Sequence, residues 1–223
     1  GTDYLGEPTP YDEYWPSRSS YFGAYDLAGL PKDRYYLYRS VWNKKEPTLH
    51  LLPHWTWNGR EGQTTPVFCY SSYPETELFV NGKSQGRRRK AGKEVQGEAA
   101  TGKAATPEEA KQRAKRYRIM WDNVVYEPGE LKVVAFDEQG KTVDSVSVFT
   151  AGKPHKLLLE ADKSTCDIPG ANLVYITVTM LDEQGNPVPD ADNELFFTVS
   201  GTGHFKAVCN GDPTSLQSFT EPH

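Results

Sequence analysis

Asp3, Glu7, Asp12 and Glu13 place four carboxylates within the first thirteen residues. Paired carboxylates hydrolyse glycosides when held about 5–5.5 Å or 6.5–9.5 Å apart across the scissile bond. Such a pair usually comes from different strands, so acids crowded along one segment read first as solvated or loop-capping groups. The functional reading is a supporting one. Acids and aromatics that follow a strand of a (β/α)8 barrel stand on the face where such barrels place their sites.

The same segment carries Trp15, Tyr21 and Phe22 around Arg18, Ser19 and Ser20. Aromatic faces beside hydrogen-bonding groups suit sugar rings, which have apolar C–H faces and polar edges. Packing of a long loop against a neighbouring domain uses the same residues, and both readings stay open. Trp55 and Trp57 are a second aromatic pair: exposed and coplanar on a sandwich face, they would favour a stand-alone carbohydrate-binding module, and without them a structural spacer is the further alternative.

Other chemistries find little support. His50 and His54 have the four-residue spacing of a helical metal pair, but Pro53 and the strand-like "LHLLPHW" keep them off a helix. Cys69, Cys166 and Cys209 form neither a C-x-x-C pair nor a zinc spacing and read as buried free thiols; a Cys166–Cys209 disulfide is the alternative. Arg87–Lys90, "RRRK", has acids Glu94 and Glu98 nearby, and the chain carries a net charge of −5, so a solvated loop is expected rather than a nucleic-acid patch. No Gly-rich phosphate loop, Ser-His-Asp set or Cys-His pair stands out, and no metal or cofactor is expected. No apolar run reaches the roughly 18 residues of a membrane helix.

The elements that position these residues are mostly strands. With 16 Pro, 19 Gly and 12% aromatics in 223 residues, the chain suits short strands joined by turns around aromatic cores. "GTDYLGEP" reads as a strand tail entering a loop. Pro31–Asn43 reads as a helix whose apolar face is Tyr35, Tyr38, Val41 and Trp42, and Pro47 stops it. Residues 1–45 are thus one β/α unit, which cannot bury its own faces. From residue 46 to about 151, six or seven strands follow, with Asn81-Gly82 as the strongest hairpin signal. A polar, Gly/Ala-rich mobile loop interrupts them near 87–106, and Thr106-Pro107-Glu108-Glu109 starts a short helix. Residues 152–223 hold four more candidate strands, "HKLLLEAD", "LVYITVTMLD", "NELFFTVSG" and "HFKAVCNG", fewer than a closed sandwich needs. The boundary is expected near Ala151–Pro154. Gly1 is not an initiator residue, so the chain is expected to be a piece of a longer protein.

"DYLGEPTPY", "WPSRSSYFGAYDLAGLPKDRYYLYRSVW" and "PTLHLLPHWTWNGREGQTTPVFCYSS" resemble the end of the catalytic barrel of glycoside hydrolase family 2, in its bacterial β-galactosidase-like branch. "ELFVNGKSQG", "YRIMWDNVVYEPGELKVVAFD" and "NGDPTS" are similar to the β-sandwich domains appended to it. The resemblance implies a mainly β fragment: the last β/α unit of a TIM barrel, then two Ig-like sandwiches, the second incomplete at its C-terminus. It implies a retaining glycosidase as parent, with both catalytic Glu residues upstream of Gly1, so the fragment alone should be inactive. Asp3, Tyr4, Glu7, Trp15, Arg18 and Ser20 would then edge the substrate pocket. The partners implied are a glycan and the rest of the barrel, and the compartment implied is periplasmic or secreted. The glucuronidase branch binds the sugar carboxylate through an Asn-x-Lys motif. The matching positions here read Ser20-Tyr21-Phe22, which disfavours a uronic-acid substrate. The resemblance thus implies a terminal β-galactoside or a related neutral sugar instead.

Overall fold

The structure is a computed structural model that describes residues 1–4, 20–91, 106–165, 173–215 and 217–220. The strand tail at 1–4 lies against residues 20–25. The Asp3 N–H donates to Tyr25 O at 2.9 Å, and the Ala24 N–H to Gly1 O at 2.8 Å. Helix α1 (Asp33–Trp42) follows. It starts two residues later than expected, because Pro31 bridges Tyr25 and Lys32 takes the extended cap position.

Seven strands come next: β1 (Leu49–Leu52), β2 (Val67–Ser71), β3 (Glu75–Val80), β4 (Lys83–Arg89), β5 (Ile119–Trp121), β6 (Glu130–Phe136) and β7 (Thr142–Phe149), with helix α2 (Pro107–Ala114) between β4 and β5. They form a three-stranded sheet, β1-β2-β5, and a four-stranded sheet, β4-β3-β6-β7. Alternate residues of each sheet face a shared core. Leu51, Cys69, Ile119 and Trp121 come from one sheet, and Leu78, Val80, Leu131 and Val133 from the other. Asn81-Gly82 closes the β3–β4 hairpin with positive φ at both positions, 47° and 77°, the type I′ requirement.

Three expectations need correction. Arg87–Arg89 are not loop. They belong to β4, pairing with Glu77, Thr76 and Glu75 of β3. Two of the three charges are matched: Arg87 pairs with Glu75 of β3 at 2.6 Å, and Arg89 pairs with Glu138 in the β6–β7 turn. Residues 92–105, the remainder of the expected loop, lie outside the described residues.

The second correction concerns α1. It docks on the outer face of β1 and β2 by Asp33, Tyr36 and Ser40, spaced i, i+3, i+7, and not by Tyr35, Tyr38 and Trp42. His50 meets the Asp33 carboxylate at 2.7 Å and stacks on Tyr36 at 3.9 Å between ring centres. The Ser72 hydroxyl donates to Ser40 O. Tyr38 and Trp42 stack on each other instead, and Trp42 stays 71% exposed. Ser40 and His50 supply polar partners across the contact, and the Tyr38–Trp42 side of α1 faces away from the sheet.

Third, the stretch beyond Lys153 has two strands among the described residues rather than four. These are β8 (Lys156–Ala161) and β9 (Ile176–Leu181), paired antiparallel. Residues 193–211 carry no ladder. Every residue of β8 is exposed, so this ribbon has no closed core of its own. Among the described residues, the stretch beyond Lys153 is tied back at Asp182 and at Gly211. Asp182 accepts the Gly152 N–H at 2.9 Å, and Gly211 sits so near Asp26 that a Cβ there would meet Asp26 Oδ2 at 2.5 Å. None of the helices among the described residues is long and apolar enough to cross a membrane.

Candidate functional site

Asp3 is the centre of the leading segment and is buried. Oδ1 accepts the Gly23 N–H at 2.6 Å, and Oδ2 accepts Lys32 Nζ at 2.7 Å. Lys32 also donates to Tyr21 O at 2.9 Å, while the Arg34 guanidinium donates to Phe22 O. Two cations from the start of α1 therefore hold the backbone of the Tyr21-Phe22 dipeptide, and the Asp3 carboxylate fixes one of them. Charge-assisted bonds of this kind are the strong ones in a fold. The Ser20 N–H donates to Tyr4 O at 2.9 Å, which joins the two chain segments at the other end.

This clamp brings Asp3, Tyr4 and Ser20 of the expected pocket edge together. Ser20 is buried, Tyr4 is 56% exposed and Phe22 is 51% exposed. The rings of Tyr21 and Phe22 lie 4.6 Å apart, tilted by 30°. The edge thus presents aromatic rings on a charged, hydrogen-bonded base. Both Asp3 oxygens are engaged in holding this backbone, one by Gly23 and one by Lys32. Glu7, Trp15 and Arg18, like Asp12 and Glu13, lie outside the described residues.

The second candidate surface needs correction. Trp55 is fully buried, packs edge-on to Tyr126 at 5.0 Å, and donates its Nε1–H to Glu127 O at 3.0 Å. It is a core residue of the sandwich and offers no ring face. Trp57 is half-buried, with the His54 ring stacked on it at 4.2 Å and the Arg60 guanidinium over it at 5.0 Å. Burial holds His54 below its ordinary pKa, against the pull of Asp190 and Asp33, which favours the neutral ring in this stack. Trp57 is therefore a seat for a cation rather than a bare platform.

The thiols differ. Cys69 is free and buried, and burial pushes its thiol up to about 12. Cys209 is free and half-buried. Cys166 lies outside the described residues.

Two families match the chain. Residues 62–144 match a family described as a domain of unknown function (DUF4982), and residues 157–223 match glycoside hydrolase family 2 C-terminal domain 5. Beta-galactosidase BoGH2A of Bacteroides ovatus is 45% identical over 222 residues, which is 99% of this chain and 23% of that protein. A beta-glucuronidase of Formosa agariphila is 27% identical over 201 residues, covering 88% of this chain and 18% of that protein. The crystal structure of a beta-glycosidase from Bacteroides vulgatus superposes with a TM-score of 0.80 at 35% identity, covering 100% of this chain and 25% of that one. The chain thus spans about a quarter or less of the length of the relatives it matches.

Proposed function

Because this chain belongs to glycoside hydrolase family 2 as a C-terminal part of its proteins, we propose that it is the accessory end of a retaining hydrolase of terminal β-galactosides or related neutral sugars. In this reading the leading segment is one edge of the substrate pocket, the closing β/α unit of a barrel. The exposed rings of Tyr4 and Phe22 border the sugar, and the buried Asp3 and Ser20 hold them from beneath. The sandwich and the ribbon behind it are two accessory domains that brace this edge. The catalytic carboxylate pair belongs to the rest of the protein.

The observation that carries the reading is the buried Asp3 carboxylate, held at both oxygens. One oxygen is spent on Gly23 and the other on Lys32, at 2.6 and 2.7 Å. A retaining enzyme needs a nucleophile and an acid/base about 5 Å apart across the bond it breaks. Asp3 serves the other need, a fixed wall that holds the ring in a reactive geometry. The identity to a β-galactosidase over nearly the whole chain supports the choice of sugar. So does Ser20-Tyr21-Phe22, which supplies no Lys or Arg side chain for a uronate.

The test is turnover of chromogenic β-galactoside and β-glucuronide by the whole protein and by this chain alone. The reading requires β-galactoside turnover by the whole protein and none by the chain. Preference for the glucuronide would overturn the choice of sugar, and turnover by the chain alone would overturn the location of the catalytic pair.

A further inference from the structure

Leu52, Phe68 and Met120 are directly paired in one row across β1, β2 and β5. Their neighbours Leu51, Cys69 and Ile119 are buried in the core, so by strand alternation the row stands on the outer face of the sheet. Helix α1 covers the adjoining His50–Tyr70 end of this face. Two cavities border the uncovered row. One, of about 310 Å3, is lined by Leu52, Trp57, Arg60, Thr65 and Phe68 among others. The other, of about 350 Å3, is lined by Met120 with Arg88, Arg89, Lys115 and Arg118.

The charge of these linings is one-sided. Among the described residues, five lining cations, Arg60, Arg88, Arg89, Lys115 and Arg118, stand with one lining acid, Asp122, in a chain whose net charge is −5. Glu138, outside the lining, pairs with Arg89. Three of the guanidiniums are seated over rings: Arg60 over Trp57 at 5.0 Å, Arg118 over Phe68 at 5.5 Å and Arg88 over Trp121 at 5.8 Å. A guanidinium held on a ring keeps its fork of donors in a fixed plane. Arg88 spends a donor on Met120 O, and Arg118 one on Tyr70. Each guanidinium has five N–H groups, so donors remain for an anion. At the other end, Trp57 Nε1 and Thr65 Oγ1 are buried with no hydrogen-bond partner among the described residues. Such atoms are costly unless something polar reaches them.

We propose that this outer face binds an acidic oligosaccharide. Its sulfate or carboxylate groups lie on Arg88, Lys115 and Arg118, and its hydroxyls, or water they carry, reach the Trp57–Thr65 end. Cations line both cavities, several at one and Arg60 at the other, so the repeated anions of such a chain match them better than one compact phosphate does. Nucleic acid fits poorly, since the rings that would stack bases already carry guanidiniums. The site goes beyond the pocket edge proposed above and holds whichever sugar the whole protein cleaves.

Titration calorimetry on the intact chain tests this with four probes of matched length: a chondroitin sulfate oligosaccharide, an oligogalacturonate, a neutral cello-oligosaccharide and oligo-dT. Binding is expected for one or both acidic glycans, weakening as salt is raised, and the stronger of the two identifies the anion. Lys115→Glu with Arg118→Gln should lower that affinity about tenfold or more, with circular dichroism confirming the fold. Lys115→Gln alone should give a smaller loss in the same direction. Equal affinity for the neutral glycan, tighter binding of oligo-dT, indifference to both variants, or no binding at millimolar ligand would each overturn the proposal.

Discussion

Gly23 stands so close to Asp3 that a Cβ at position 23 would lie 2.7 Å from Asp3 Oδ1 and 2.6 Å from the Thr2 carbonyl carbon. The obstacle is mostly backbone, which cannot swing aside. The same contact lets the Gly23 N–H reach the buried carboxylate. Gly23→Ala should therefore loosen the leading segment by about 1–3 kcal/mol. Hydrogen exchange is the measurement. The amides of Asp3, Ser20 and Ala24 should exchange faster, while those of β6 stay protected.

Asp3→Asn keeps the side chain's shape but removes the charge facing Lys32. The carboxylate is nearly buried, whereas the Lys32 side chain is 30% exposed, so solvent already screens part of the pair. A loss of about 1–3 kcal/mol is expected for the segment. Lys32→Met on top of Asp3→Asn should cost less than the sum of the two single changes. Strict additivity in that double-mutant cycle would mean that the pair is not coupled.

Asp182 links the ribbon to the sandwich and is held at a low pKa, about 2, chiefly by the Gly152 N–H and then by Asn186 and Gly185. Its pKa lies below the ordinary 3.8, so the folded state favours the charged form. The stability this contributes is complete above about pH 4 and is lost as pH falls toward 2. Thermal melts of the wild type should fall through that window. Asp182→Asn should melt lower at pH 7 and show a flatter profile between pH 4 and 2.

Trp55→Ala should cost about 3–5 kcal/mol, since it empties a fully buried site and orphans Glu127 O. Trp57→Ala removes a half-buried ring and should cost about 1–2 kcal/mol. Urea melts of the two variants give the ratio. Equal effects would place Trp57 in the core as well.

Cys69 should resist alkylation in the folded chain at pH 8, because burial leaves almost none of it as thiolate. Mass spectrometry after iodoacetamide should show Cys209 modified well before Cys69. Rapid labelling of Cys69 would mean that β2 opens readily.

Local signals carried much of this fold into the sequence. Asn81-Gly82 marks a hairpin because only a few residues accept positive φ, and Thr106-Pro107 starts α2 for equally local reasons. β3 and β6 are legible from alternation, whereas β4, exposed along most of its length, is not. What stayed hidden depends on partners remote in sequence. Arg87–Arg89 read as a polar loop because Glu138, which neutralises Arg89, is 49 residues away. Trp55 and Trp57 look alike in "HWTW", and only Glu127 and Tyr126 decide that Trp55 goes inside. Apolar area alone favours Tyr38 and Trp42 as the buried face of α1, while His50 on β1 selects Asp33 and Tyr36. The Asp3 clamp could have been suspected from an acid followed by an isolated Gly and a Lys, but that pattern is too common to stand without coordinates.

The measurement closest to the central claim is kcat/KM for p-nitrophenyl β-galactoside, taken on the whole protein and on the whole protein carrying Asp3→Asn, beside the same assay on this chain alone. If Asp3 fixes the wall of the pocket through Gly23 and Lys32, the variant should lose about tenfold to a hundredfold without abolishing turnover, and the chain alone should show none. Complete loss in the variant, as for a catalytic carboxylate, or turnover by the isolated chain, would contradict the account.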